Sequence, residues 1–167
     1  KPLPIYNSSS FGFLPEMGLK KALKQTLCLR SENDFVFETD IERFFDKIDR
    51  NQLCGLLRKK LRHHSILPVL EKAIRTEVTH TATCTPEKLH LLGIKRGVGV
   101  RQGMPLSPVF ANVALSGFDK SVEDAGIKMV RYADDIVAFA NSKIEIMEIA
   151  QFIEKELGVL GHSIPSI

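Results

Sequence analysis

Two short apolar segments, residues 127–132 and 136–140, are separated by Ala133-Asp134-Asp135. Apolar runs of this length around so short a polar link predict a β-hairpin, here with two carboxylates at its tip. Adjacent acids flanked by Met129-Val130 and Ile136-Val137 are costly unless something cationic balances them. The pair is also compatible with a water-exposed turn, because Asp favours turns for local hydrogen-bonding reasons.

A third carboxylate narrows the choice. Phe35 to Ile41 alternates aromatic and polar residues and is rich in strand formers, which predicts a buried strand ending near Asp40. If that strand pairs beside the hairpin, Asp40 meets Asp134 and Asp135 at one end of the sheet. Three such groups repel strongly unless divalent cations occupy the site. Hard cations such as Mg²⁺ take oxygen ligands and bind through a few carboxylates plus substrate phosphates. Two of them ~4 Å apart stabilise the attacking and leaving oxygens of a phosphoryl displacement.

The remaining segments supply the other layers. Residues 1–15 read as an irregular lead-in, and Leu19, Ala22, Leu23, Thr26 and Leu27 then recur at helical spacing. Asp49 with Gln52 predicts a capped helix whose apolar stripe is Leu53, Leu56, Leu57 and Leu61. A second helix is expected from about Ser65 to Val78, with Pro68 in its first turn, followed by a loop over Thr79–Pro86. Leu89 to Gln102, broken by Gly93, Gly97 and Gly99, predicts a hairpin or two short strands.

Ser107-Pro108 predicts a hydroxyl cap and a first-position proline for a helix burying Val109, Phe110, Val113, Ala114 and Phe118, with Gly126 beyond its end. Ser142 with Glu145 opens a last helix with Ile146, Ile149, Ile153 and Leu157 inward and Gly158 at its end. The expected class is α+β, an antiparallel sheet with helices packed on one face.

Composition excludes several alternatives. At 167 residues, 44% hydrophobic and 26% charged, the sequence is that of a globular domain rather than a disordered chain. No apolar run approaches the ~18 residues of a membrane span. Cys28, Cys54 and Cys84 form no CxxC, so a reducing, cytoplasmic setting is expected rather than a disulfide framework. His63, His64, His80, Cys84 and His90 match no zinc spacing and read as ordinary surface residues. The net charge of +3 is mild, but Arg58, Lys59, Lys60, Arg62, His63 and His64 cluster, as do Lys95, Arg96 and Arg101. Such patches fit contact with a polyanion, and equally a solvated helix face and a charged hairpin.

Three segments in order resemble successive motifs of reverse transcriptases: Phe35 to Asp49 (FVFETDIERFFDKID), Gln102 to Pro108 (QGMPLSP) and Tyr132-Ala133-Asp134-Asp135. A fourth, Ser10-Phe11-Gly12-Phe13-Leu14-Pro15, resembles the finger-region motif of the bacterial lineage that includes group II intron reverse transcriptases, with Leu14 where that lineage usually carries arginine. The resemblance implies a right-hand polymerase palm with part of the fingers. It assigns residues 1–34 to a partial fingers segment and 35–167 to the palm, with a fingers-like helix and hairpin insertion at about 50–101. It also marks the chain as an internal piece, without the thumb.

The same resemblance implies the site. Asp40, Asp134, Asp135 and the backbone carbonyl of Ile41 would hold two Mg²⁺ ions, with Mn²⁺ as an alternative. Ile41, Phe45, Gln102 and Gly103 would contact the nucleotide, Phe45 crowding the sugar 2′ position to favour deoxynucleotides and Phe44 belonging to the core. Asp46 also falls near the spacing at which RNA-dependent RNA polymerases carry a second Asp. Tyr132 would lie near the primer terminus or pack on the sheet.

The implied activity is RNA-directed DNA polymerisation, a nucleotidyl transfer in which the 3′-hydroxyl of a DNA or RNA primer on an RNA template attacks the α-phosphate of a dNTP. The alternative is a non-catalytic nucleic-acid-binding or scaffold module retaining the palm shape. A pure binder gains nothing from acids near phosphates, which favours the enzyme. The sequence does not specify an oligomeric state.

Overall fold

The computed structural model describes residues 7–62, 65–77, 85–91 and 95–165. These form two compact units, one of residues 7–42 and 115–165, the other of residues 43–114.

The first unit is built on an antiparallel sheet of β1 (Phe35–Asp40), β2 (Lys128–Tyr132) and β3 (Asp135–Ala140), in the order β1-β3-β2. The hairpin forms as expected: Tyr132 pairs with Asp135 around a two-residue turn, and Ala133 takes the left-handed φ of 60° that such turns require. Central β3 buries Ile136, Ala138, Phe139 and Ala140. By contrast, β1 is not the buried strand its composition suggested. It lies at the edge of the sheet, leaving Phe35 and Val36 37% and 42% exposed, because only one of its sides is paired.

Helices flank this sheet on both faces rather than on one. Val130 opposes Val137, and Lys128 opposes Phe139, so Val130 and Phe139 share a face. There they pack with Phe11 and with Ala22 and Leu29 of α1 (Leu19–Glu32). The small side chain of Ala22 allows α1 to approach, while Leu19, Leu23 and Leu27 of the expected stripe turn outward. On the opposite face Arg131 meets Asp119 of α6 (Ser107–Asp124).

The last helix, α7 (Lys143–Val159), buries Ile146, Ile149, Ile153 and Leu157 as predicted. Its cap is reciprocal: Ser142 Oγ accepts from the Glu145 N–H, and the Glu145 carboxylate accepts from the Asn141 N–H. Gly158 stays helical, and Gly161, at φ 80°, makes the exit instead.

The second unit contains α2 (Phe44–Lys47), α3 (Arg50–Lys60), α4 (Leu67–Ile74), α5 (Pro86–Leu91) and the beginning of α6. Asp49 caps α3 by accepting from the N–H groups of Asn51 and Gln52, and Leu53, Cys54 and Leu57 turn inward. The helix expected over 65–78 is shorter, and residues 78–84 and 92–94 lie outside the described residues.

Between 89 and 102 the described residues contain no strand: α5 takes the first part and turns the rest. Gly97 and Gly99, at φ 81° and 72°, interrupt extended backbone. Gly99 and Val100 donate their N–H groups to the Ile48 and Phe45 carbonyls rather than to a partner strand. At the start of α6 the Ser107 hydroxyl is not the cap either. It donates to the Arg101 carbonyl at 2.5 Å, and the first helical carbonyl is that of Leu106, accepting from the Phe110 N–H.

Candidate metal and nucleotide site

The register of β1 against β3 places Asp40 directly opposite Asp135. One residue on, the Ile41 N–H donates to the Asp134 carbonyl at 3.1 Å, tying the end of β1 to the hairpin turn. Asp40, Ile41, Asp134 and Asp135 are therefore gathered at one end of the sheet. Like charges directly opposed across strands destabilise a sheet, and no ion pair joins the three aspartates to a lysine or arginine among the described residues.

The electrostatic result falls on Asp135. Its carboxyl is pushed above the usual aspartate value, first by partial desolvation although the residue as a whole is exposed, then by the charges of Asp134, Asp40 and Glu38. Among the described residues no three His, Cys, Asp or Glu side chains form a ready-made cation cage. The donor set is nonetheless all oxygen with uncompensated negative charge, which suits a hard divalent cation that completes its shell with phosphates and water. The residues fit such an ion.

Beneath this acidic end lies a fully buried ion pair. Arg131 and Asp119 are both 0% exposed at their side chains. Arg131 donates from Nε to Asp119 Oδ1 at 2.7 Å and from Nη2 to Oδ2, a two-pronged contact. Its Nη1 donates to the Ala133 carbonyl at 2.7 Å, and Nη2 also donates to Ser10 Oγ at 2.8 Å. The segment of Ser10 runs beside β2: Arg131 N–H donates to the Ser9 carbonyl, and Phe11 N–H to the Arg131 carbonyl. Gly12 lies so close to the turn that a Cβ there would be 2.5 Å from the Ala133 nitrogen. Thus Ser10-Phe11-Gly12 packs against the acidic turn, Phe13 sets its ring 6.1 Å from that of half-buried Tyr132, and Leu14 is buried.

The other expected residues lie in the second unit. Phe44 is the core ring, 1% exposed, and half-buried Phe45 leans on it at 5.3 Å between centroids. Val100 N–H donates to the Phe45 carbonyl at 2.8 Å, which brings the strap leading to Gln102 and Gly103 against α2. At Gly99 an added Cβ would fall 2.7 Å from the carbonyl oxygens of Phe45 and Asp46, so only glycine permits that approach. Gln102 is exposed, and Gly103 holds a left-handed φ of 83° with open space around it.

Glu77 anchors the strap. It accepts from Arg50 at 2.5 Å, from Arg101 at 2.9 Å and from the Gly97 N–H at 3.0 Å, while Arg50 Nε donates to the Gly99 carbonyl. The Arg50 bond above all, with the Gly97 N–H and Arg101, pulls the Glu77 carboxyl down to about 2.

Sequence reasoning did not single out Arg131, Asp119, Glu77 or Arg50, and named Gly12 only within the finger-region motif. The available signals were a charge inside the apolar run Met129-Val130-Arg131-Tyr132 and an acid one residue past Phe118 on an apolar helix. Of the basic cluster, Arg58 is engaged with Glu71 at 2.7 Å. His63, His64, His80 and Cys84 lie outside the described residues, as does the His90 side chain.

Comparison with known proteins places this arrangement. An uncharacterized 91 kDa protein in the cob intron of Schizosaccharomyces pombe is 28% identical over 121 residues, 72% of this chain and 14% of that protein. The group II intron-encoded protein LtrA of Lactococcus lactis subsp. cremoris is 28% identical over 128 residues, 77% of this chain and 20% of LtrA. The chain thus spans a small part of the relatives it matches. A telomerase structure from Candida albicans shares the fold, with a TM-score of 0.60 at 13% identity over 94% of this chain and 31% of that one. The family model described as reverse transcriptase (RNA-dependent DNA polymerase) matches residues 1–166. With its acidic residues gathered at the end of an antiparallel sheet and nearly its whole length matched, the chain belongs to the reverse transcriptase family.

Proposed function

We propose that this chain is the palm-bearing core of an RNA-directed DNA polymerase, a nucleotidyltransferase that extends a DNA or RNA primer on an RNA template with dNTPs. The observation that carries this reading is the pairing of Asp40 with Asp135 beside the Ile41–Asp134 backbone bond, an acidic end whose three carboxylates have no lysine or arginine partner among the described residues. Asp40, Asp134, Asp135 and the Ile41 carbonyl would hold two Mg²⁺ ions, or Mn²⁺. Bound there, the ions would supply charge stabilisation to the attacking 3′-oxygen and the pyrophosphate leaving group. The protein's own share is positioning: the sheet fixes the carboxylates, and the Glu77-anchored strap presents Gln102 and Gly103.

In this assignment Phe45 crowds the sugar 2′ position, Gln102 and Gly103 lie under the templating pair, and Ile41 borders the nucleotide. Residues 1–34 derive from the fingers, 35–167 form the palm, and about 50–101 is an insertion, supported by the separate unit that 43–114 makes. Among the described residues no helix is long and apolar enough to cross a membrane, and the free thiols of Cys28 and Cys54 suit a reducing, cytoplasmic setting.

Primer extension on an RNA template with Mg²⁺ and dNTPs, with natural flanking sequence retained, tests the reading. Asp134→Ala is expected to lose at least ~10²-fold in rate, the scale of removing a principal electrostatic contact to the transition state. Equal extension by both proteins would refute catalysis and leave the non-catalytic binding module.

A further inference from the structure

We propose that the buried Arg131–Asp119 pair is a positioning device for the acidic turn, an inference that rests on the polymerase reading of that turn. Burying an ion pair gives little net stability against an apolar substitute, so its retention at full burial asks for another reason. The hydrogen bonds supply one. Asp119 takes up two nitrogens of the guanidinium and thereby fixes its plane. The remaining Nη1 is then aimed at the carbonyl of Ala133, the residue whose left-handed φ of 60° reverses the chain.

A non-glycine residue in that conformation is held there by its surroundings. Here the hold comes from below through Arg131 and from the side through Gly12, whose missing Cβ lets the neighbouring segment close on the Ala133 nitrogen. Asp134 follows directly, and its carbonyl accepts the Ile41 N–H. The chain of contacts therefore runs Asp119, Arg131, Ala133, Asp134, Ile41, and it sets where Asp134 stands at the turn, beside the Asp135 that the β1–β3 register places opposite Asp40. Lysine cannot replace arginine in this role, since one ammonium cannot grip both carboxylate oxygens and the carbonyl.

The test uses the full protein and two readouts. In metal-free protein, hydrogen exchange at the Ile41 amide reports the turn, and the Ala138 amide reports the sheet. Arg131→Met and Arg131→Lys are both expected to speed Ile41 exchange by about tenfold with Ala138 unchanged. The Mg²⁺ concentration for half-maximal primer extension should rise by about tenfold, the usual cost of losing a group that orients ligands. Unchanged Ile41 exchange and Mg²⁺ requirement in a folded variant overturns the proposal, and so does equal acceleration at both amides, which marks a merely structural pair. Should Arg131→Met fail to fold, Arg131→Lys, which keeps a cation beside Asp119, decides alone. If Asp134→Ala extends primers as well as the parent protein, the polymerase reading is what fails, and Ile41 exchange still decides whether the pair sets the turn.

Discussion

Glu77 and Asp135 are acids of similar intrinsic strength held in opposite surroundings. Glu77 has two guanidinium groups and a backbone N–H directed at it, and its carboxyl falls to about 2. Asp135 faces Asp134, Asp40 and Glu38, and its carboxyl rises. The difference separates two uses of charge. A carboxylate whose partners are all supplied by the chain holds structure together, here the strap before Gln102. A carboxylate whose nearest charges are other carboxylates costs stability and is explained by a partner that arrives from outside. Asp119, buried but fully paired with Arg131, belongs with Glu77 in this division even though it lies under the acidic turn.

The largest way to break the contrast is to unpair a buried charge. Asp119→Asn strands the Arg131 guanidinium, and thermal or urea unfolding is expected to show a loss of ~3–5 kcal/mol. An effect below ~1 kcal/mol would mean that Arg131 finds other acceptors.

Glu77→Gln is expected to cost less, about 2–3 kcal/mol at pH 7, because part of the Glu77 side chain is open to solvent and Arg50 keeps the Gly99 carbonyl. Since the folded-state value lies below the ordinary 4.5, its contribution is complete above that pH and disappears as pH falls toward about 2. The gap between the two proteins in urea unfolding should close over that window, and a gap that persists unchanged would assign the loss to packing instead.

Gly12→Ala forces a Cβ against the Ala133 nitrogen and is expected to cost about 1–3 kcal/mol in unfolding experiments, the range for overpacking. The smallest change carries the opposite sign. Removing one of two facing acids, Asp135→Asn should stabilise metal-free protein by ~0.2–1 kcal/mol at neutral pH. With the folded-state value raised above the ordinary 3.8, the penalty enters as pH climbs past 3.8 and is complete at neutrality, so the gain should vanish in more acidic buffer. A destabilised Asp135→Asn variant would place Asp135 with Glu77.

The hairpin, its acidic tip, the place of Asp40 at the end of its strand and the α7 cap were legible because each is set by local pattern: alternation, a short turn, a hydroxyl three residues before an acid. The gathering of Asp40 with Asp134 and Asp135 was expected on the condition that the strand ending near Asp40 pairs beside the hairpin, and β1 does pair with β3. What stayed hidden depends on contacts between distant positions. Ser10 and Arg131 are 121 residues apart, and nothing local distinguishes Gly12 from a turn glycine. The leucines of α1 misled because helical spacing gives a stripe but not which side of it meets the sheet, and Ala22 with Leu29 took that place. Leu89 to Gln102, broken by glycines, reads as a hairpin or two short strands, whereas the left-handed Gly97 and Gly99 shape a strap hydrogen-bonded to α2 and Ile48.

The central claim is that the uncompensated acidic end receives divalent cations, and paramagnetic titration with Mn²⁺ tests it most directly. The parent protein should bind Mn²⁺ in competition with Mg²⁺. Asp40→Asn and Asp134→Asn should each weaken that binding by at least about tenfold while Glu77→Gln leaves it unaltered. Equal Mn²⁺ affinity in the parent and both aspartate variants would contradict the account.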